Sequence, residues 1–133
     1  MLKAARAMSP GRLLLLLGQA GDRDDESIRA LARTAWEAHP ALVVLKDLDG
    51  YLRGRAPGAI PALMSDELQA HGAHPDQLLT VLDEMGAART LLAQAQPGDL
   101  VVLPVHALEA RNHVLALLEQ LQAAGWSAGD PLP

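Results

Sequence analysis

Residues 13 to 17 are five consecutive leucines, held between Arg12 and Gly18. A run this short cannot complete a buried helix, and it has no polar face to turn to water. It therefore reads as a strand covered on both sides. The pattern recurs in "ALVVLK" at 41–46, in "LLTVL" at 78–82 and in "LVVLPV" at 100–105. Between these runs the apolar residues change to helical spacing. Ile28, Leu31, Ala32, Ala35 and Trp36 share one face, opposite Arg29, Arg33 and Glu37. Ile60, Leu63, Met64 and Leu68 form a second stripe, and Met85, Ala88, Leu92 and Ala95 a third. Val114, Leu117, Leu118 and Leu121 form a fourth, after the last strand. Pro40, Gly72, "QPGD" and Gly125 supply the stops, and Pro57 is placed in the first turn of the second helix.

Doubly covered strands alternating with amphipathic helices predict an α/β fold. The expected form is a mostly parallel sheet of about four or more strands with helices on both faces, joined by right-handed crossovers. Leu15, Val44 and Val102 are the expected mid-strand core residues. One domain is expected over 1–126, with a helix at Leu2 to Met8 before the first strand. From Ser127 onward, Gly129, Pro131 and Pro133 predict a flexible tail over 127–133.

Composition removes several function classes. Half of the 133 residues are hydrophobic, enough for a packed core. The net charge of −5 argues against a general nucleic-acid binder, which needs a basic face. Without cysteine there is no disulfide, zinc–thiolate site or thiol nucleophile. The leucine run is too short to span a bilayer, and acidic residues follow where a signal-peptide cleavage site would lie, so a cytoplasmic location is expected.

In open α/β sheets, ligands collect beyond the carboxyl ends of the strands. Three stretches with notable chemistry leave those ends. "GQAGDRDDES" begins with Gly18 and Gly21, which let the backbone approach a ligand, and runs through Asp22, Arg23 and Asp24 to a helix N-terminus that favours an anion. The same acids equally suit capping of that helix. "KDLDGYLRGRAPG" carries Arg53 and Arg55 on either side of Gly54. Their guanidinium forks suit a carboxylate or phosphate, or a pairing with Asp47 and Asp49. "PVHALEAR" places His106 after the last strand, as a ligand-edge residue or a structural one. No GxxxxGK[ST] phosphate loop is present, "GQAGDR" lacks the third glycine of a dinucleotide fingerprint, and His71 and His74 have no further ligand at metal-binding spacing.

Three stretches together, "GQAGDRDDESIRALARTA", "VVLKDLDGYLRGRAPGAIPALM" and "PGDLVVLPVH", resemble the C-terminal domain of Mur ligases. Within that family the branch of cyanophycin synthetase and related Mur-ligase-like proteins is the nearest in pattern. The similarity runs over residues 2 to 118, with Ala59 standing where the pattern has a glutamate. The resemblance implies a Rossmann-like domain that closes over the ATP site of a central ATPase domain and helps hold an incoming anionic amino-acid substrate. The parent would join a carboxylate to an amine through an acyl phosphate, using ATP and magnesium. It further implies substrate-binding roles for Asp22, Arg23, Asp24, Arg53, Gly54, Arg55 and His106, and cofactor contacts at Gly18 and Gly21. On the same resemblance, a conserved segment upstream of the first helix is missing and that helix is truncated. A fragment of an amide ligase, inactive alone, is the expected identity; the alternative is a free-standing anion-binding or interaction module.

Overall fold

A computed structural model describes residues 11–48, 51–105 and 108–133. The expected helix at Leu2 to Met8, Asp49 and His106 lie outside the described residues. Strands β1 (Leu13–Leu17), β2 (Leu42–Leu45), β3 (Leu78–Thr80) and β4 (Leu100–Val102) form one sheet in the order β3-β2-β1-β4, with every pair parallel. Leu15 sits at its centre, in register with Val43 on one side and Val102 on the other.

Among the described residues four α-helices cover the sheet: α1 (Asp25–Trp36), α2 (Ala59–Ala70), α3 (Glu84–Gln94) and α4 (Leu108–Ala123). Alternation along the strands divides the core. Leu15, Leu17, Val43 and Leu45 pack against Ile28 and Ala32 of α1 and Ile60, Met64 and Leu68 of α2. Leu14, Leu16 and Val44 face the other way, onto Ala87 and Leu91 of α3, and α4 packs Leu117 and Leu121 against Leu92. The expected α/β sandwich of helices around a parallel sheet is the observed fold.

Local chemistry sets the helix ends. The Asp24 carboxylate accepts from the Ser27 amide at 2.7 Å and caps α1. Asp83 does the same for α3, taking the Gly86 amide at 2.6 Å. Helix α2 ends at Gly72 with φ +102, where Ala73 donates to the Leu68 carbonyl and Gly72 to that of Gln69, a paired closure that needs a left-handed residue. Pro57 lies before α2 rather than in its first turn. Pro61 occupies that turn instead, where a missing N–H is harmless. Arg33 of α1 bridges Glu26 and Glu67, tying α1 to α2.

The two edge strands are shorter than the apolar runs predicted. Strand β4 stops at Val102, two residues before Pro104, which has no amide proton for the ladder. Val102 is half-buried rather than central, because β4 has a strand neighbour only in β1 among the described residues. On α4 the stripe is narrower than predicted: Val114, Leu117 and Leu121 are buried, but Leu118 is on the exposed rim. The stretch expected as a flexible tail makes contacts of its own. Leu132 and Trp126 pack beside Leu92, Trp126 donates to the Asp130 carbonyl, and Arg89 donates to that of Pro133. Leu132, packed beside the Trp126 indole that precedes this segment, gives it apolar area to bury.

Candidate functional site

The loops leaving β1 and β2 meet at the carboxyl edge of the sheet and close on each other. Gly21 donates its amide to the Tyr51 carbonyl at 2.8 Å, and a Cβ at Gly21 would stand only 1.9 Å from the Leu52 carbonyl oxygen. Any side chain at position 21 would separate the two loops. Gly18 serves a similar purpose. A Cβ there would lie 2.8 Å from the Lys46 carbonyl oxygen and 3.1 Å from its Nζ. The space opened by both glycines is therefore filled by the protein's own atoms.

Arg55 completes the closure. Its Nε donates to the Gly21 carbonyl at 3.1 Å, one terminal nitrogen to the Arg23 carbonyl at 2.8 Å, and the other pairs with Asp25 at 2.8 Å. All three guanidinium nitrogens are engaged, so Arg55 works as a brace between the β2 loop, the β1 loop and the start of α1. Its ionic partner is Asp25 rather than Asp47, and Asp49 lies outside the described residues. Asp47 turns inward instead. One carboxylate oxygen accepts from the Gly58 amide at 2.8 Å and satisfies the start of α2, while the other is buried without a hydrogen-bond partner among the described residues.

Arg53 is placed differently. Its backbone is left-handed, with φ +54, next to Gly54 at φ +87. That turn lifts its side chain into solvent, with the guanidinium carbon 5.3 Å from the centre of the Tyr51 ring. Among the described residues Arg53 forms no ion pair. Gly54 has open space around it, so nothing crowds this tip.

Asp22, Arg23 and Asp24 are exposed beside the brace. Hydrogen bonding from Ser27 holds the Asp24 carboxyl below its usual range, with Arg23 and Arg55 adding to the effect. Of the residues singled out from sequence, Gly18, Gly21, Asp22, Arg23, Asp24, Arg53, Gly54 and Arg55 are thus brought to one edge of the sheet. His71 pairs with Glu67 on α2 at 3.0 Å rather than with His74.

Sequence reasoning missed the ionic feature beneath these loops. Lys46, the residue after β2, meets Glu84, the first residue of α3, at 2.9 Å with both side chains fully buried. The available signal was strand parity. Position 46 continues the series 42, 44 toward the α3 face, where a covered strand offers lysine no route to water. An open depression of about 500 Å³ beside Trp36, His39 and His71 lies at the C-terminal ends of α1 and α2, away from these loops.

The glutamate ligase domain model of the Mur ligases matches residues 1–104, which contain both loops. The chain belongs to the Mur ligase family. It is 33% identical over 103 residues to the UDP-N-acetylmuramoyl-L-alanyl-D-glutamate–2,6-diaminopimelate ligase of Trichormus variabilis. That match takes in 77% of this chain but only 19% of the relative's length, so this Mur ligase domain corresponds to a small part of that enzyme. Among the described residues no helix is long and apolar enough to cross a membrane.

Proposed function

We propose that this Mur ligase domain holds an anionic amino-acid substrate at Arg53 while closing over the ATP-bearing central domain of a parent amide ligase. The observation that carries the reading is the division of labour between two neighbouring arginines. Arg55 spends its whole fork inside the protein, whereas Arg53 is presented to solvent with no carboxylate against it among the described residues. A free guanidinium can take a carboxylate through two parallel N–H···O bonds, and the Tyr51 ring below limits the directions it samples. Arg23 stands on the same edge, beside Asp22 and Asp24. The similarity to a relative named for ligating 2,6-diaminopimelate supports a carboxylate-bearing substrate, and the "LRGRAPG" loop favours the cyanophycin synthetase-like branch.

In this reading ATP and magnesium belong to the parent's central domain, in the cytoplasm. The loops of this chain do not themselves fit a nucleotide phosphate, because Lys46 and Leu52 fill the space that Gly18 and Gly21 leave. With no GxxxxGK[ST] loop in its sequence, the chain alone neither hydrolyses ATP nor activates a carboxylate.

Steady-state kinetics of a ligase carrying this domain test the assignment. With ATP saturating, Arg53→Ala raises KM for the amino-acid substrate by roughly ten- to a hundred-fold, the loss of a charged hydrogen-bonding pair worth about 1.5–3 kcal/mol. Arg53→Lys recovers part of this, since it keeps the charge and loses the fork. Unchanged KM in both variants returns Arg53 to a surface role.

A further inference from the structure

Helix α4 presents a second apolar face, away from the core. Of the large hydrophobic side chains left exposed in the described residues, three lie on this one helix: Leu108 at 68%, Leu115 at 51% and Leu118 at 37%. Beside them, Leu103, Pro104 and Val105 continue the apolar surface after β4, forming a shallow groove of about 350 Å³ with Arg111 at its rim. The helix lies after residue 104, where the family match ends.

The charges on α4 identify what covers it. Arg111 and Glu119 stand one helical turn before and one turn after Leu115, about 40° to either side of it around the helix axis. Both are exposed, and Glu119 has no ion-pair partner among the described residues. When two copies of α4 run antiparallel about a two-fold axis through Leu115, Leu115 meets Leu115 of the partner copy. Each Arg111 then faces Glu119 of the other copy, and symmetry makes that ion pair twice. A parallel arrangement would instead set arginine against arginine, which is repulsive. We infer that the α4 face is a self-association surface, and that its occupant is a second copy of this chain in antiparallel register centred on Leu115. The surface lies on the other side of the sheet from α1 and α2, and it does not depend on the anion site at Arg53.

Sedimentation or light scattering of the purified chain over the micromolar to sub-millimolar range tests this. The expected result is a concentration-dependent species of twice the 14.1 kDa chain mass. Leu115→Asp, at a solvent-facing position that leaves the fold intact by circular dichroism, gives only monomer. Glu119→Arg alone sets like charges together twice and weakens association by about ten-fold or more. Adding Arg111→Glu reverses both charges of the pair and returns the dissociation constant to near that of the unaltered chain. A strictly monomeric chain overturns the inference and leaves the face to a different partner. A dimer that survives Leu115→Asp places the interface elsewhere, and failure of the charge reversal to recover association rules out the antiparallel register.

Discussion

Lys46 and Glu84 meet at 2.9 Å with neither side chain reaching solvent, directly under the two loops that carry the candidate site. The pair joins the end of β2 to the first turn of α3, and Gly18 leaves the room that the lysine stem occupies. Lys46→Met, which takes the lysine's charge away from the buried glutamate, is expected to lower stability by about 3–5 kcal/mol. The double change Lys46→Met with Glu84→Leu removes both charges and should be closer to the unaltered protein than either single change. Urea unfolding of the three variants checks this, and additive losses would mean that the two groups do not act as a pair.

Arg55 and Gly21 give a second expectation. Arg55→Ala removes donors from two backbone carbonyls and a partner from Asp25, and about 1–2 kcal/mol is expected from a partly exposed group of this kind. Gly21→Ala should be more severe, above about 3 kcal/mol, since its Cβ collides with the Leu52 carbonyl. In Arg55→Ala the Gly21 amide should exchange with solvent faster, because its bond to the Tyr51 carbonyl is what the brace maintains. Unaltered exchange at Gly21 in Arg55→Ala would remove the bracing role.

Acid stability follows from three carboxylates. Folding lowers the pKa of Asp24 through hydrogen bonding from Ser27, of Glu67 through Arg33, and of Asp99 through the 2.6 Å contact with Arg12. Each folded value lies below its unfolded one, so near pH ~4 the unfolded chain binds more protons. Their stabilisation is complete above the unfolded carboxyl range and is lost as pH falls through the lower folded values. Urea midpoints measured from pH 6 downward should drop through that window, and Asp99→Asn should make the drop shallower. An Asp99→Asn profile parallel to that of the unaltered protein would show that the Arg12 pair has no part in it.

The central strands were legible because their chemistry is local. Five leucines between Arg12 and Gly18 leave a strand as the economical solution, and Leu15 is buried between two neighbours as that run requires. Edge strands were read too long, because an apolar run does not reveal where a partner strand ends. Capping of α1 by its acids was one of two readings the sequence left open, and the Asp24 bond to the Ser27 amide decides it. The Lys46–Glu84 contact spans 38 positions and depends on how α3 packs back on the sheet, which no local pattern specifies. The two arginines had equal standing in sequence. Only the fold separates them, by turning Arg55 onto the Gly21 and Arg23 carbonyls and lifting Arg53 away through a left-handed backbone.

The Nε resonances of the two arginines read that separation directly. Titrating an acidic amino acid such as glutamate into isotopically labelled domain should shift the Arg53 Nε signal along a saturable curve. Arg55 Nε, already committed to the Gly21 carbonyl, should stay where it is, and Arg53→Ala should abolish binding without moving the Arg55 signal. An Arg53 signal that ignores the titrant while Arg55 responds, or no response from either, would contradict the account.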